Sequence, residues 1–214
     1  MITITGCNKG GATKTTTCTG IATGLAIRGH DVCVVDADPQ RTAAKWFAER
    51  EAQGITPRFT LIEKRDNISS TLRNLNEKYE HVIVDVAGRN SRELITGMMV
   101  ADLIIAPHQC SQFDLDTLAE LQEQVITVRH YNPDLRVQVY QTMASTNVKV
   151  KDRERAEFLA YLAEFPEFQV LNAIGYYRKI YKDAGGEGKS VLEMADNPGA
   201  DEIRALLNEV YGHA

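Results

Sequence analysis

Short apolar runs alternate with longer stretches of helical periodicity along this chain. The runs Ile2–Thr5, Val32–Asp36, Phe59–Ile62, Val82–Val86, Leu103–Ala106, Val137–Tyr140 and, near the end, Val170–Ile174 have the length and β-branched content of buried strands. Helical patterns lie between them. In Thr16–Arg28, residues Cys18, Ile21, Ala22, Leu25 and Ala26 form an apolar stripe at helical spacing, and Gly29 supplies a C-terminal stop. A second long helix is expected from Asp114 to His130. The Gly-rich segment Asp183–Pro198 reads as a surface loop, and the amphipathic, acidic stretch Asp201–Val210 reads as a closing helix packed on the sheet. Such alternation predicts an α/β fold: a mostly parallel sheet of seven or eight strands with helices on both faces. Ligands of such sheets bind at the carboxyl ends of the strands.

Three motifs fall at those ends. After the first strand comes Lys9-Gly10-Gly11-Ala12-Thr13-Lys14-Thr15-Thr16. A glycine-rich turn between strand and helix, ending in Lys-Thr, cradles nucleotide phosphates: backbone N–H groups and the helix N-terminus face the anion, Lys14 reaches the terminal phosphates and the Thr15 hydroxyl can ligate Mg²⁺. The loop departs from the pattern G-x-x-x-x-G-K-[ST], because Asn8 and Thr13 stand where it has glycine. If the backbone at Thr13 is left-handed, a β-branched residue there costs about 1–2 kcal/mol. The second motif, Asp36-Ala37-Asp38-Pro39-Gln40, ends the second strand, and Asp38 is a candidate to orient or deprotonate an attacking water. The third, His81-Val82-Ile83-Val84-Asp85-Val86-Ala87-Gly88, aims Asp85 at the shell of a magnesium ion and places Gly88 where its N–H can approach a γ-phosphate.

Composition narrows this little. A chain of 214 residues is expected to be a single domain over 1–214, and because it opens on its first strand no helix-turn-helix domain is expected before the phosphate loop. The net charge of −5 argues against a globally basic nucleic-acid binder but leaves local patches open. Cys7, Cys18, Cys33 and Cys110 form no C-x-x-C pair and read as reduced thiols of a cytosolic protein. No run approaches the ~18 apolar residues of a membrane span, and the five histidines show no catalytic pairing.

Taken together, Lys-Gly-Gly-x-x-Lys-Thr-Thr, then Asp-x-Asp-Pro-Gln, then an apolar strand ending in Asp resemble the ParA/MinD family of deviant Walker-A ATPases, within the P-loop NTPases. The resemblance spans essentially the whole chain. It is strongest to the small ParF-type partition proteins, through the run leading to Trp46, Asp85-Val86-Ala87-Gly88-Arg89, and Gly188-Lys189-Ser190-Val191-Leu192-Glu193. It implies ATP/ADP and Mg²⁺ as ligands, with the phosphates held along Lys9, Gly10, Gly11, Ala12, Thr13, Lys14, Thr15 and Thr16 and by Gly88. Catalysis would fall to Asp38, Lys9 and Lys14. Thr15, with Asp38 and Asp85 through water, would hold the metal. Lys9 would be the signature lysine that crosses an ATP-dependent homodimer to the partner subunit's ATP. The base would sit after Val137–Tyr140, within Gln141–Asn147.

The resemblance further implies binding to non-specific DNA, a small centromere-binding partner of ribbon-helix-helix type that triggers hydrolysis, and a cytoplasmic, nucleoid-associated cycle that positions a plasmid or similar cargo. Basic residues occur at Lys149–Arg155 and at Arg178, Lys179 and Lys182, the latter interleaved with Tyr176, Tyr177 and Tyr181; the second cluster is the expected DNA contact. Other readings stand beside this one. A membrane-cycling positioner like MinD needs a basic amphipathic anchor, which the acidic tail does not resemble. An ATP-dependent ligase or iron–sulphur reductase shares the fold. A nucleotide-dependent DNA-recruiting scaffold with negligible hydrolysis is the reading that Thr13 favours.

Overall fold

The apolar runs become strands because each is covered on both faces, as parallel sheets require. The computed structural model describes residues 1–11, 13–88, 91–111 and 115–213. Its strands are β1 (Ile2–Thr5), β2 (Val32–Ala37), β3 (Thr60–Glu63), β4 (His81–Val86), β5 (Leu103–His108), β6 (Arg136–Ala144) and β7 (Gln169–Tyr176). They form one seven-stranded sheet in the order β3-β2-β4-β1-β5-β6-β7, with every neighbouring pair parallel. The helices are α1 (Lys14–Ile27), α2 (Thr42–Ala52), α3 (Ser69–Asn76), α4 (Arg92–Met98), α5 (Leu115–Arg129), α6 (Val148–Leu162), α7 (Lys179–Gly186) and α8 (Pro198–Tyr211). Asp114, the expected start of the second long helix, lies outside the described residues.

Alternate residues of the central strands feed two cores. Val82, Val84, Val86, Ile104 and Ala106 pack with Leu72 of α3, Leu94 and Met98 of α4, Leu118 to Val128 of α5 and Phe158 of α6. Ile83, Leu103 and Ile105 face the other way, onto Cys18, Ile21 and Leu25 of α1 and Ile203, Leu206 and Leu207 of α8. The α1 stripe therefore lies on the sheet as its spacing predicts. Its opposite side is buried too, because Gly20 and Gly24 let α8 close over it; a Cβ at Gly24 would come within 2.2 Å of Leu207 Cδ1. Gly29, at φ 88°, ends the helix, and the His30 N–H donates to the Leu25 carbonyl at 3.1 Å. Among the described residues no helix is long and apolar enough to cross a membrane.

Two expectations change. α1 begins at Lys14 rather than Thr16, so the Lys-Thr-Thr of the phosphate loop is the helix's first turn. And Asp183–Pro198 is not a loop throughout: α7 occupies its start and Val191–Glu193 is a 3₁₀ turn closed by a Ser190–Glu193 capping box. A partner remote in sequence holds this segment down. Arg50, only 2% exposed, donates to both carboxylate oxygens of Glu193 at 2.7 and 2.8 Å and lies over the rings of Trp46 and Phe59. The Trp46 indole N–H donates to the Lys189 carbonyl at 3.1 Å.

Gly188 sits at the centre of this contact with φ 64°, where a Cβ would lie 2.5 Å from the Arg50 backbone nitrogen. Gly188→Ala should therefore lower stability by on the order of 2–4 kcal/mol in urea unfolding. Gly185→Ala, where a Cβ meets nothing within 4 Å, is the control and should change it little.

Candidate functional site

Sheet register builds the site. β1, β4 and β2 are neighbours, and their pairing sets Thr5 opposite Asp85 and Asp85 opposite Asp36. The loop after β1 and the turns after β2 and β4 consequently open on one edge, around a cavity of about 830 Å³. Asn8, Lys9, Gly10, Gly11 and Thr13 line it from the loop, and Lys14, Thr15 and Thr16 from the first turn of α1. Asp38, Gln40 and Thr42 face it from the entry to α2, Ala87 and Gly88 from the end of β4, and Thr117 from α5. The three motifs thus meet, although Ala12 and Arg89 lie outside the described residues.

The loop carries strain. Thr13 has φ 60° and ψ 19°, the left-handed region, and its side chain does not cap α1. The first-turn N–H groups therefore keep their donor capacity toward the cavity. The cost is about 1–2 kcal/mol of backbone strain. Lys14 is 8% exposed, and its ammonium donates to the Lys9 carbonyl at 2.6 Å. Gly88 presses on both: a Cβ there would stand 2.8 Å from the Lys9 oxygen and 3.1 Å from Lys14 Nζ. Only glycine lets this turn approach the loop so closely.

Beneath the cavity floor, Asp85 is fully buried and accepts a hydrogen bond from the Thr15 hydroxyl at 2.7 Å. Burial pushes its carboxyl up to about 7, helped by the Asp36 and Asp38 charges and opposed by the Thr15 hydrogen bond and by Lys14. Its Oδ1 is buried with no hydrogen-bond partner among the described residues. That orphaned oxygen, the uncapped helix start and the Gly88 cradle together fit a magnesium-bound polyphosphate.

Asp36 has a role that the motif alone did not reveal. It is fully buried, accepts N–H bonds from Asp38 at 3.0 Å and Ala44 at 2.8 Å, and faces Arg65 at 3.5 Å. Burial raises its carboxyl above the usual range against those bonds. Asp36 thereby fixes both the Asp38 turn and the start of α2. Asp38 itself accepts the Gln40 N–H at 2.8 Å, which orders the turn, and stays at the cavity wall.

A second cavity of about 540 Å³ opens from the same helix end, lined by Thr13, Thr16 and Thr17. Of the segment expected to border the base, Thr142 and Met143 line it. Gln141 is buried elsewhere, accepting from Arg155 at 3.0 Å. Gly175, Tyr176 and Tyr177 complete the wall; their position at the carboxyl end of β7 was the available signal. Thr117 carried none, since only the fold brings α5 to the loop.

Arg178, Lys179 and Lys182 also line this second cavity. Arg178 is drawn inward, donating to Glu202 at 2.5 Å and lying over the Tyr176 ring, whereas Lys179 and Lys182 are exposed. In the other basic segment, Arg155 donates to the Leu171 carbonyl and Arg153 pairs with Glu157.

Residues 1–157 match the family described as ATPase MipZ. The maintenance of carboxysome distribution protein A of Halothiobacillus neapolitanus is 29% identical over 209 residues, covering 94% of this chain and 92% of that protein. The chromosome-partitioning ATPase Soj of Thermus thermophilus is 26% identical over 233 residues, with 94% and 92% covered. Among solved structures, apo McdA of Cyanothece is similar with a TM-score of 0.77 at 16% identity, covering 98% of each chain.

Asp85 makes stability sensitive to pH. Its folded pKa of about 7 exceeds the usual carboxylate value, so the neutral acid favours folding; that contribution is complete below about pH 4 and is lost as pH rises through 7. Asp85→Asn should therefore stabilise the nucleotide-free protein at pH 8 by on the order of 2–4 kcal/mol and leave it nearly unchanged at pH 4. Thermal unfolding at the two pH values reads this directly.

Proposed function

This chain belongs to the MipZ family of ATPases, and from that premise we propose that it is an ATP-driven DNA-partition protein that positions a plasmid or similar cargo. The observation that carries the reading is one cavity holding two loop lysines, Lys9 and Lys14, opposite Asp38, above the Thr15–Asp85 pair. One lysine suffices to neutralise terminal phosphate charge within a subunit. A second at the outer end of the loop suits a homodimer that closes on ATP, with Lys9 reaching the partner subunit's nucleotide. The names of the two relatives, a distribution protein and a chromosome-partitioning ATPase, support positioning as the shared task.

In this reading Lys14 and the backbone N–H groups from Gly10 to Thr16, Ala12 and Thr13 included, hold the phosphates. Thr15, with Asp85 and Asp38 through water, would hold Mg²⁺, which would supply charge neutralisation at the terminal phosphates. Asp38 accepts the proton of the attacking water, in a turn that Asp36 keeps rigid. The Gly88 N–H faces the γ-phosphate. Adenine and ribose enter the second cavity, against Thr142, Met143 and Tyr176. The dimer then binds non-specific nucleoid DNA in the cytoplasm, with exposed Lys179 and Lys182 as phosphate contacts and Arg178 supporting them from its Glu202 pair. A small basic partner of ribbon-helix-helix type stimulates hydrolysis and releases it. Weak turnover without DNA and partner is part of the proposal.

A MinD-like positioning cycle is the alternative reading; in it α8, which buries Ile203, Leu206 and Leu207 in the core, would stay packed on the sheet. The scaffold reading draws support from one observation, the left-handed Thr13.

ATP turnover measured with and without DNA and the partner tests the main reading. Asp38→Ala should bind ATP normally but lose at least ~100-fold in turnover; Lys9→Ala should lose ATP-dependent dimerisation in sedimentation while retaining ADP binding. Turnover unaffected by Asp38→Ala overturns the catalytic assignment. Thr13→Gly should raise ATP affinity or turnover, and constancy of both would sink the strain argument.

A further inference from the structure

A third cavity meets the other two at Thr16. It holds about 460 Å³, between the first turns of α1, the outer face of α2 and the end of α7. That volume lies within the range of small-molecule sites, about 300–1,000 Å³. The phosphate loop and the base cavity account for a bound nucleotide, so this space is left over.

Its chemistry is cationic. Lys45, Lys182 and Lys189 line it against one carboxylate, Glu49, in a chain whose net charge is −5. Lys189 is paired with Glu187 at 2.7 Å. Among the described residues Lys45 and Lys182 have no carboxylate partner, and the Thr16 and Thr42 hydroxyls make no hydrogen bond. The floor is apolar and closed, from Trp46, Ala184, Val191 and Ile203. A closed floor distinguishes a pocket from a track for a polymer.

We propose that this cavity is a second anion site, distinct from the phosphate loop, that takes a phosphate-bearing small molecule. Lysine ammoniums are point-charge partners for phosphoryl oxygens, and hydroxyls complete their hydrogen bonds. The position gives the site a regulatory reach. Its walls include Thr15 and Thr16, which also line the phosphate cavity, and Thr42 and Lys45 of the helix that Asp36 couples to the Asp38 turn. An occupant therefore touches both elements on which hydrolysis would depend.

Trp46, the single tryptophan of the chain, lies in the wall and reports occupancy by fluorescence. The protein is saturated with ADP and Mg²⁺ to fill the phosphate loop, then titrated with inorganic pyrophosphate, following Trp46 emission and heat. One further equivalent should bind, with a saturable change in emission. Lys45→Glu, at an exposed position, should weaken it at least tenfold. Gly186→Tyr, which adds a side chain where a Cβ meets nothing within 4 Å, should block it. ADP affinity, measured separately, should be unchanged in both variants, so that failure of the ATPase reading is distinguishable from failure of this one. Absence of a further equivalent, or unaltered pyrophosphate affinity in both variants, overturns the proposal; so does binding of polyglutamate but not pyrophosphate.

Discussion

The helix α1 is buried on every side, and the site depends on that burial. Its apolar stripe rests on β2, β4 and β5, and its small-residue face is closed by α8. A helix held this way cannot pivot, so the N–H groups of its first turn point in one fixed direction. Nothing in the Thr13 side chain caps them. The cavity along the loop, the cavity beside Thr142 and the lysine-lined cavity all border Thr16 for this reason: each is a different approach to one immobilised helix end.

Around that end the fold accepts local instability. Asp85 is buried with one oxygen unpaired among the described residues, Asp36 is buried beside it on the neighbouring strand, and Thr13 occupies a backbone region that suits glycine. Asp85 and the left-handed Thr13 suit a charged ligand rather than the fold itself, whereas Asp36 anchors the Asp38 turn and the start of α2. Compensation comes from elsewhere. The Arg50–Glu193 pair, enclosed by Trp46 and Phe59 and sealed by Gly188, ties α2 to the segment before α8 and keeps the outer layer in place. Such a pair is worth little when exposed; here both partners are nearly buried and a further hydrogen bond from Arg50 reaches the Pro57 carbonyl.

The strands were legible because two-sided burial leaves continuous apolar runs, and each expected run lies within or beside an observed strand. The phosphate loop, Asp38 and Asp85 were legible because local motifs mark the ends of those strands. What escaped notice depends on contacts between distant parts of the chain. The motif assigns Asp36 no role, and only the N–H groups of Asp38 and Ala44 reveal it as the anchor of the turn. Glycines at 185, 186 and 188 suggested a loop, whereas α7 and the Arg50 contact order that stretch. Arg178 read as a free charge, because its partner Glu202 lies on α8, a helix recognised only for its amphipathic pattern.

The hydrogen bond from Lys14 to the Lys9 carbonyl has a thermodynamic consequence. A free lysine side chain holds about 2 kcal/mol of rotamer entropy, which an anion must remove before it is gripped. Here the side chain is already buried and aimed, so that ordering belongs to folding rather than to ligand capture. A phosphate arriving there would exchange one oxygen acceptor for a stronger, charged one, and the ammonium would need only to change partners.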